Sequence, residues 1–317
     1  MSRTSTYALL ILVMFTWGLN VVAIKYLVAY FPPVAMQASR IFVAGVVALI
    51  ALYFLKDLRQ LTRQEWFYIL LAAVLGQLAH HSLLAIGLVE TSASNAAIIL
   101  GLIPLTTSVL AIIFLHDRLT WTRLVGILLG FTGVSMVVLQ TNGGIGMVSR
   151  GDLFVFISML AQACSFIIIK KVTATLSSKQ MTAVMLLVGS VMLLGLSLWI
   201  EPQGVQQLSS GTTMVWTVLL TSAVIATGLG HIFFNMAISH IGAGQTAIFN
   251  NLVPFFSLIG AFFFLGESIV LTQIAGFIVI VLGVLLGTGY VDTLLARRKE
   301  NALAQAAQAE EQHKMSL

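Results

Sequence analysis

The sequence predicts an all-α integral membrane protein, ten transmembrane helices built as two inverted five-helix repeats. Three observations predict it. The 317 residues are 59% hydrophobic and only 9% charged, with a mean hydropathy of +1.01, where soluble chains carry about 25% charged residues. Ten segments approach the roughly 20 apolar residues needed to cross a hydrocarbon core. The landmarks of the first half also return about 150 positions later.

The spans follow in order. Span one (7–28) comes after a short polar stretch, Met1 to Thr6. It has no small-residue cleavage site, so it reads as a retained span and not a signal peptide. Pro32-Pro33 introduces span two (34–55), and the charged stretch Lys56 to Glu65 separates it from span three (66–88). Span four (93–115) stops at His116-Asp117-Arg118, and span five (121–140) at Asn142-Gly143-Gly144. Spans six (152–171) and seven (181–200) flank Lys179, and Glu201-Pro202 leads to spans eight (215–238), nine (243–265) and ten (270–290). The expected domains are a first repeat (1–145), a second (146–292) and a polar tail (293–317).

Positive charge orients the spans. With the N-terminus inside, the inner loops hold Arg3, Lys56, Arg59, Arg63, Arg118, Arg123, Lys170, Lys171, Lys179, Arg297, Arg298, Lys299 and Lys314, and the outer loops hold only Arg150. Both termini are therefore expected in the cytoplasm, which needs an even number of spans, in a cell (inner) membrane protein. The net charge of +5 sits beside apolar spans and forms no aromatic-laced stripe, so no nucleic-acid partner is expected. The single cysteine, Cys164, excludes a disulfide framework and a multi-Cys metal site and reads as a small buried residue. No His/Cys cluster or phosphate-binding glycine loop is present. The expectation is therefore no metal, no cofactor, no ATP drive and no enzymatic activity. The expected partners are the lipid bilayer and a small-molecule solute.

The repeat is specific in its details. Trp66 meets Trp216, Val74 meets Val224, His81 meets His231, Pro104 meets Pro254 and Asp117 meets Glu267; with a slightly shorter shift Lys25 meets Lys170. Five spans is an odd number, so the second copy enters from the opposite side. Two similar halves of opposite orientation are a recurring device of secondary transporters, with the site near the bilayer midplane between them.

Span one reads Trp17-Gly18-Leu19-Asn20 and then Lys25, and span two carries Arg40. Span four opens Thr91-Ser92-Ala93-Ser94-Asn95-Ala96-Ala97 and carries Pro104. Spans four and nine end Phe-Leu-x-Asp/Glu, at Phe114 to Asp117 and Phe264 to Glu267, before the Gly-rich spans five and ten. This set, over about 1–290, resembles the EamA branch of the drug/metabolite transporter superfamily. The resemblance implies a ten-helix, two-repeat exporter of amino acids or other small metabolites working by alternating access. Small multidrug relatives place a Glu in the first helix; its lack here argues against cationic-drug exchange of that type.

Polar groups inside the bilayer are costly and so mark candidate substrate contacts. No Asp or Glu falls mid-span. His81 and His231 occupy equivalent positions about 6 Å from the midplane and can titrate near neutral pH; each can equally well bond a neighbouring helix. Gln77 lies one turn from His81 and Asn235 one turn from His231, each on its histidine's face, while His80 points elsewhere. Trp17 and Asn20 share a face of span one. Arg40, about 10 Å inside span two, can hold a carboxylate or phosphate, snorkel, or pair with Glu90. Asn250 precedes Pro254, which denies the Asn250 carbonyl its helical partner; Pro104 does the same for Leu100. Gly126-x-x-x-Gly130 and Gly283-x-x-x-Gly287 permit close packing between repeats or in a homodimer. Two other readings remain open: a non-transporting receptor or assembly protein of this fold, and an intramembrane enzyme using His116 and Asp117.

Overall fold

A computed structural model describes residues 3–55, 57–115, 119–138, 149–173, 175–241 and 249–287, with positions 289, 291, 292, 294, 297, 298 and 305 beyond them. The regular structure of the described residues is helical throughout. The first half runs α1 (Arg3–Leu27), α2 (Pro33–Leu55), α3 (Arg63–Ala73), a π segment π1 (Val74–Ala79), α4 (His80–Glu90), α5 (Ala93–Leu100), α6 (Ile103–Leu115) and α7 (Trp121–Val138). The second runs α8 (Arg150–Val172), α9 (Ser178–Ile200), a short α10 (Gly204–Gln207), α11 (Thr213–Thr221), a second π segment π2 (Ser222–Leu229), α12 (Gly230–Ile241), α13 (Leu252–Leu265) and α14 (Leu271–Gly287).

Among the described residues, seven helices have the length and apolarity to cross a membrane, and Trp121–Met136, Leu252–Leu265 and Leu271–Gly287 are shorter apolar helices. These fall on the ten expected segments. The N-terminal part of expected span nine, residues 243–248, lies outside the described residues, as do His116, Asp117, Lys56 and Asn142 to Gly144. Helix starts follow hydroxyl chemistry. Thr62, Ser92, Ser149, Ser177 and Thr212 each accept an amide N–H three residues on. Helix α13 stops at Gly266, whose φ of 67° is the left-handed cap that glycine adopts without strain.

Burial is inverted relative to a water-soluble protein. Phe54, Trp199, Phe263 and Phe264 are exposed, while Gln37, Arg40, Gln77, Ser158 and Ser165 are buried. Lipid solvates the former; the latter must find partners inside. The main helix pairs are α7 with α14, α2 with α9, α1 with α13, and α8 with α4 and α6. Exchanging the two halves turns α1–α13 into α8–α6 and α2–π2 into α9–π1, and all four of these pairs are present. The glycine motifs form the α7–α14 seam within one chain. A Cβ on Gly126 would lie 2.1 Å from the Gly287 nitrogen, and one on Gly283 would lie 2.6 Å from the Gly130 nitrogen. The two helices touch backbone to backbone there.

Candidate functional site

Helix α2 carries Arg40, which is fully buried. A guanidinium cannot lose its charge in practice, so its N–H groups seek partners within the protein. Its Nε donates to Gln37 Oε1 at 2.8 Å, one turn away on the same helix. Its Nη1 donates to Thr227 Oγ1 at 2.6 Å and toward Ser222 Oγ at 3.4 Å, both on π2. Its Nη2 lies 3.3 Å from His81 Nδ1 on α4. Arginine only donates, so His81 Nδ1 accepts and the imidazole proton is on Nε2. The snorkelling and Glu90 readings of Arg40 are thereby replaced: its four partners are all neutral. The ion pairs formed by the described carboxylates, Arg59–Glu65, Arg123–Asp292 and Lys179–Asp57, lie elsewhere.

Helix α1 meets the same π segment. Ser222 Oγ donates to Asn20 Oδ1 at 2.5 Å. Trp17 Nε1 donates to the Ala226 carbonyl at 2.7 Å. A π turn shifts backbone pairing from i−4 to i−5 and leaves such carbonyls seeking other donors. The indole also stands 5.1 Å from the His231 ring and 4.9 Å from that of Phe234, centre to centre. Gly230 makes room for it, since a Cβ there would lie 2.7 Å from Trp17 Nε1. His231 Nδ1 lies 2.7 Å from the Thr227 carbonyl, which only accepts, so His231 Nδ1 donates. The two equivalent histidines thus use the same nitrogen in opposite roles: Nδ1 accepts in His81 and donates in His231. Trp17, Asn20, Arg40, His81 and His231 therefore converge from α1, α2, α4 and α12 around π2.

Other expected residues are placed differently. Gln77 lies on the segment just before His81. It sits in π1, where the helical period lengthens, and packs on Gly189 of α9, with a Cβ on that glycine only 2.2 Å from Gln77 Cβ. His80 turns to α8, where Nδ1 lies 2.8 Å from Ser158 Oγ and 3.1 Å from the Ser158 carbonyl; it is a packing residue. The Asn235 side chain lies outside the described residues. The Asn250 carbonyl is not free: Val253 N donates to it at 3.0 Å in a tighter turn. The side-chain Asn250 Oδ1 and Asn251 Nδ2 are buried and have no hydrogen-bond partner among the described residues. Pro104 begins α6 just after the Gly101-Leu102 break in span four. Pro254 packs on that break, with its Cγ 3.0 Å from where a Gly101 Cβ would be. The two proline discontinuities therefore meet across α5 and α13.

Sequence reading missed Gln37, Ser222 and Thr227. The Gln37-x-x-Arg40 spacing, which puts both on one helix face, is a signal for the first. It also missed two carboxylates that cap helices across the halves. Glu201 accepts from the Val34 and Ala35 amides at 3.0 and 2.8 Å, at the start of α2. Glu267 accepts from the Ala93 and Ser94 amides at 2.8 and 3.1 Å, and from Ser94 Oγ at 2.6 Å, at the start of α5. Neither helix has an acid in its own first turn, so these distant carboxylates answer its dipole. Lys25 Nζ donates to the Leu88 carbonyl at 2.7 Å. At the opposite end of the bundle Arg59 pairs with Glu65 and donates to the Thr175 carbonyl, and the Glu65 bond raises the Arg59 pKa above its ordinary value. There too, the hydroxyls of Thr120 and Thr122 donate to Asp292 and, with Arg123 nearby, hold its carboxyl below the usual range.

Comparison with known proteins gives a consistent picture. The model of the EamA-like transporter family matches residues 4–139 and again 149–288. An uncharacterized transporter of Bacillus subtilis (strain 168), YyaM, is 32% identical over 275 residues, covering 84% of this chain and 88% of its own. A probable terminal-alkyne amino-acid exporter of Streptantibioticus cattleyicolor is 24% identical, covering 81% and 84%. A crystal structure 16% identical in sequence superposes with a TM-score of 0.66 over 94% of this chain and all of its own.

Proposed function

The chain belongs to the EamA-like transporter family and is a multi-pass membrane transporter, and we propose that it exports small polar metabolites, amino acids among them, by alternating access between its two halves. One observation carries this reading. Trp17, Asn20 and Arg40 of the first half meet Ser222, Thr227 and His231 of the second in one junction that is buried at Arg40, Ser222 and Thr227. Such a junction is remade whenever the halves move against each other, so a solute held there can be passed from one face to the other.

The π segments support the same reading. Each interrupts an otherwise regular helix at the level of the site, and π turns inside helices are frequent at functional positions. Pro104 and Pro254, packed at the α5 and α13 breaks, supply a second pair of discontinuities beside it. The indole of Trp17 forms an apolar wall. Asn20, Arg40, His81 and His231 supply polar groups for the head of a neutral or zwitterionic solute. The relative named a probable terminal-alkyne amino-acid exporter fits that solute class. The cationic surplus of the expected inner loops supports a cell-membrane location with both termini in the cytoplasm.

The test is flux. Proteoliposomes holding the purified protein and loaded with an amino-acid panel are expected to release at least one member faster than protein-free vesicles. Correctly folded protein that releases none, but binds a member of the panel, would replace this reading with a receptor.

A further inference from the structure

The site holds one unpaired positive charge. Burying a charge without an opposite one is strongly unfavourable, yet Arg40 is fully buried and its partners Gln37, Ser222, Thr227 and His81 are neutral. Counting protons sharpens the point. Of the five guanidinium N–H groups, one goes to Gln37, two to the π2 hydroxyls and one faces His81 Nδ1, which leaves one on Nη2. Beside it, Gln37 commits its Oε1 to Arg40, so its amide nitrogen needs a different acceptor. That Nε2 is buried with no hydrogen-bond partner. Two donors and a full positive charge are thus gathered with no acceptor among the described residues.

Symmetry says the charge is not structural. The shift that sets Lys25 on Lys170 sets Arg40 on Met185, which is buried in α9. The same helix position is therefore filled in the other half without a charge. The partners also sit on both sides of the junction, so whatever neutralises Arg40 bears directly on the contact between α2 and π2.

Resting on the transport reading, we infer that Arg40 and the Gln37 amide receive an oxyanion carried by the solute, so that transport requires a singly negative group at one end of the molecule. A carboxylate suits one guanidinium and one amide donor; a phosphate monoester, with about two charges at neutral pH, would leave the second unanswered. An amino acid then enters carboxylate first, its side chain against Trp17.

The experiment compares each amino acid of the panel, and small monocarboxylates, with the matching carboxamide, and adds inorganic phosphate. Two readouts are taken on the full-length protein: flux in proteoliposomes and the rise in unfolding midpoint in detergent. The expected result is that the acids move and stabilise while the amides do so at least tenfold less well, and that phosphate competes weakly. Arg40→Met should lose the acid-over-amide preference. Gln37→Glu is the second variant. It places a carboxylate beside Arg40, so it should fold with a raised midpoint and lose the preference too. Amides carried as well as acids by the wild type would overturn the oxyanion site and leave transport intact. Stabilisation by acids without any flux would leave the site and overturn transport. Phosphate preferred over every acid would move the assignment from carboxylate to phosphate and overturn the singly charged form stated here. Neither flux nor stabilisation by any probe would overturn both.

Discussion

Arg40 Nη1 donates to Thr227 Oγ1 at 2.6 Å, a bond that joins the second helix of one half to the π segment of the other. Replacing Thr227 by Val keeps the shape and removes the acceptor, leaving a buried cationic N–H without its closest partner. The expected loss is about 1.5–3 kcal/mol, the range for hydrogen bonds to charged groups, read as a lowered unfolding midpoint in detergent. Thr227→Ser should recover most of it. A Val variant as stable as the wild type would mean that the bond contributes nothing.

Trp17 has two functions that substitution can separate. Its indole N–H satisfies the Ala226 carbonyl, and its ring walls the site against His231 and Phe234. Trp17→Phe keeps a ring and loses the donor, with an expected cost of about 1 kcal/mol of stability and a modest change in solute affinity. Trp17→Ala should weaken solute affinity at least tenfold in flux measurements. Equal affinities for the two variants would remove the aromatic wall from the account.

The α7–α14 seam predicts sharp intolerance. A side chain at Gly126 meets backbone, and no rotamer relieves it. Gly126→Val should abolish monodisperse protein in gel filtration. Gly195→Ala on α9, where a Cβ meets nothing within 4 Å, is the matched control. It should be neutral or stabilising by up to about 1 kcal/mol, because glycine is a poor helix residue.

Asp292 sets an acid dependence outside the membrane. Its folded carboxyl is held below the usual value of 3.8, first by Thr120, then by Thr122 and Arg123. A depressed folded pKa stabilises above the unfolded value, and the benefit fades as pH falls from about 5 through the folded value. Asp292→Asn should therefore be less stable than wild type at pH 7, with the gap closing as the pH drops toward 3. A gap unchanged across that range would show that the carboxylate's charge plays no part.

Much of this was legible because lipid penalises polar groups. Arg40, Trp17, Asn20, His81 and His231 stand out in apolar spans, and the structure gathers all five. The failures are equally physical. Glu201 and Glu267 looked like loop acids because the amides they cap lie 167 and 174 residues away in the chain for the closest-numbered contacts, Val34 and Ala93. The carbonyl of Asn250 looked orphaned by Pro254 until a tighter turn supplied Val253 N.

The most direct test pairs flux with stability for one site residue. His231→Ala removes the ring stacked on Trp17 and the donor to the Thr227 carbonyl. It should be assayed in proteoliposomes, with and without a pH gradient, against the wild type and His81→Ala. The account predicts that flux of the transported amino acid falls at least tenfold while the protein remains folded and monodisperse. Wild-type flux from a stable His231→Ala protein would contradict the placement of the transport site at this junction.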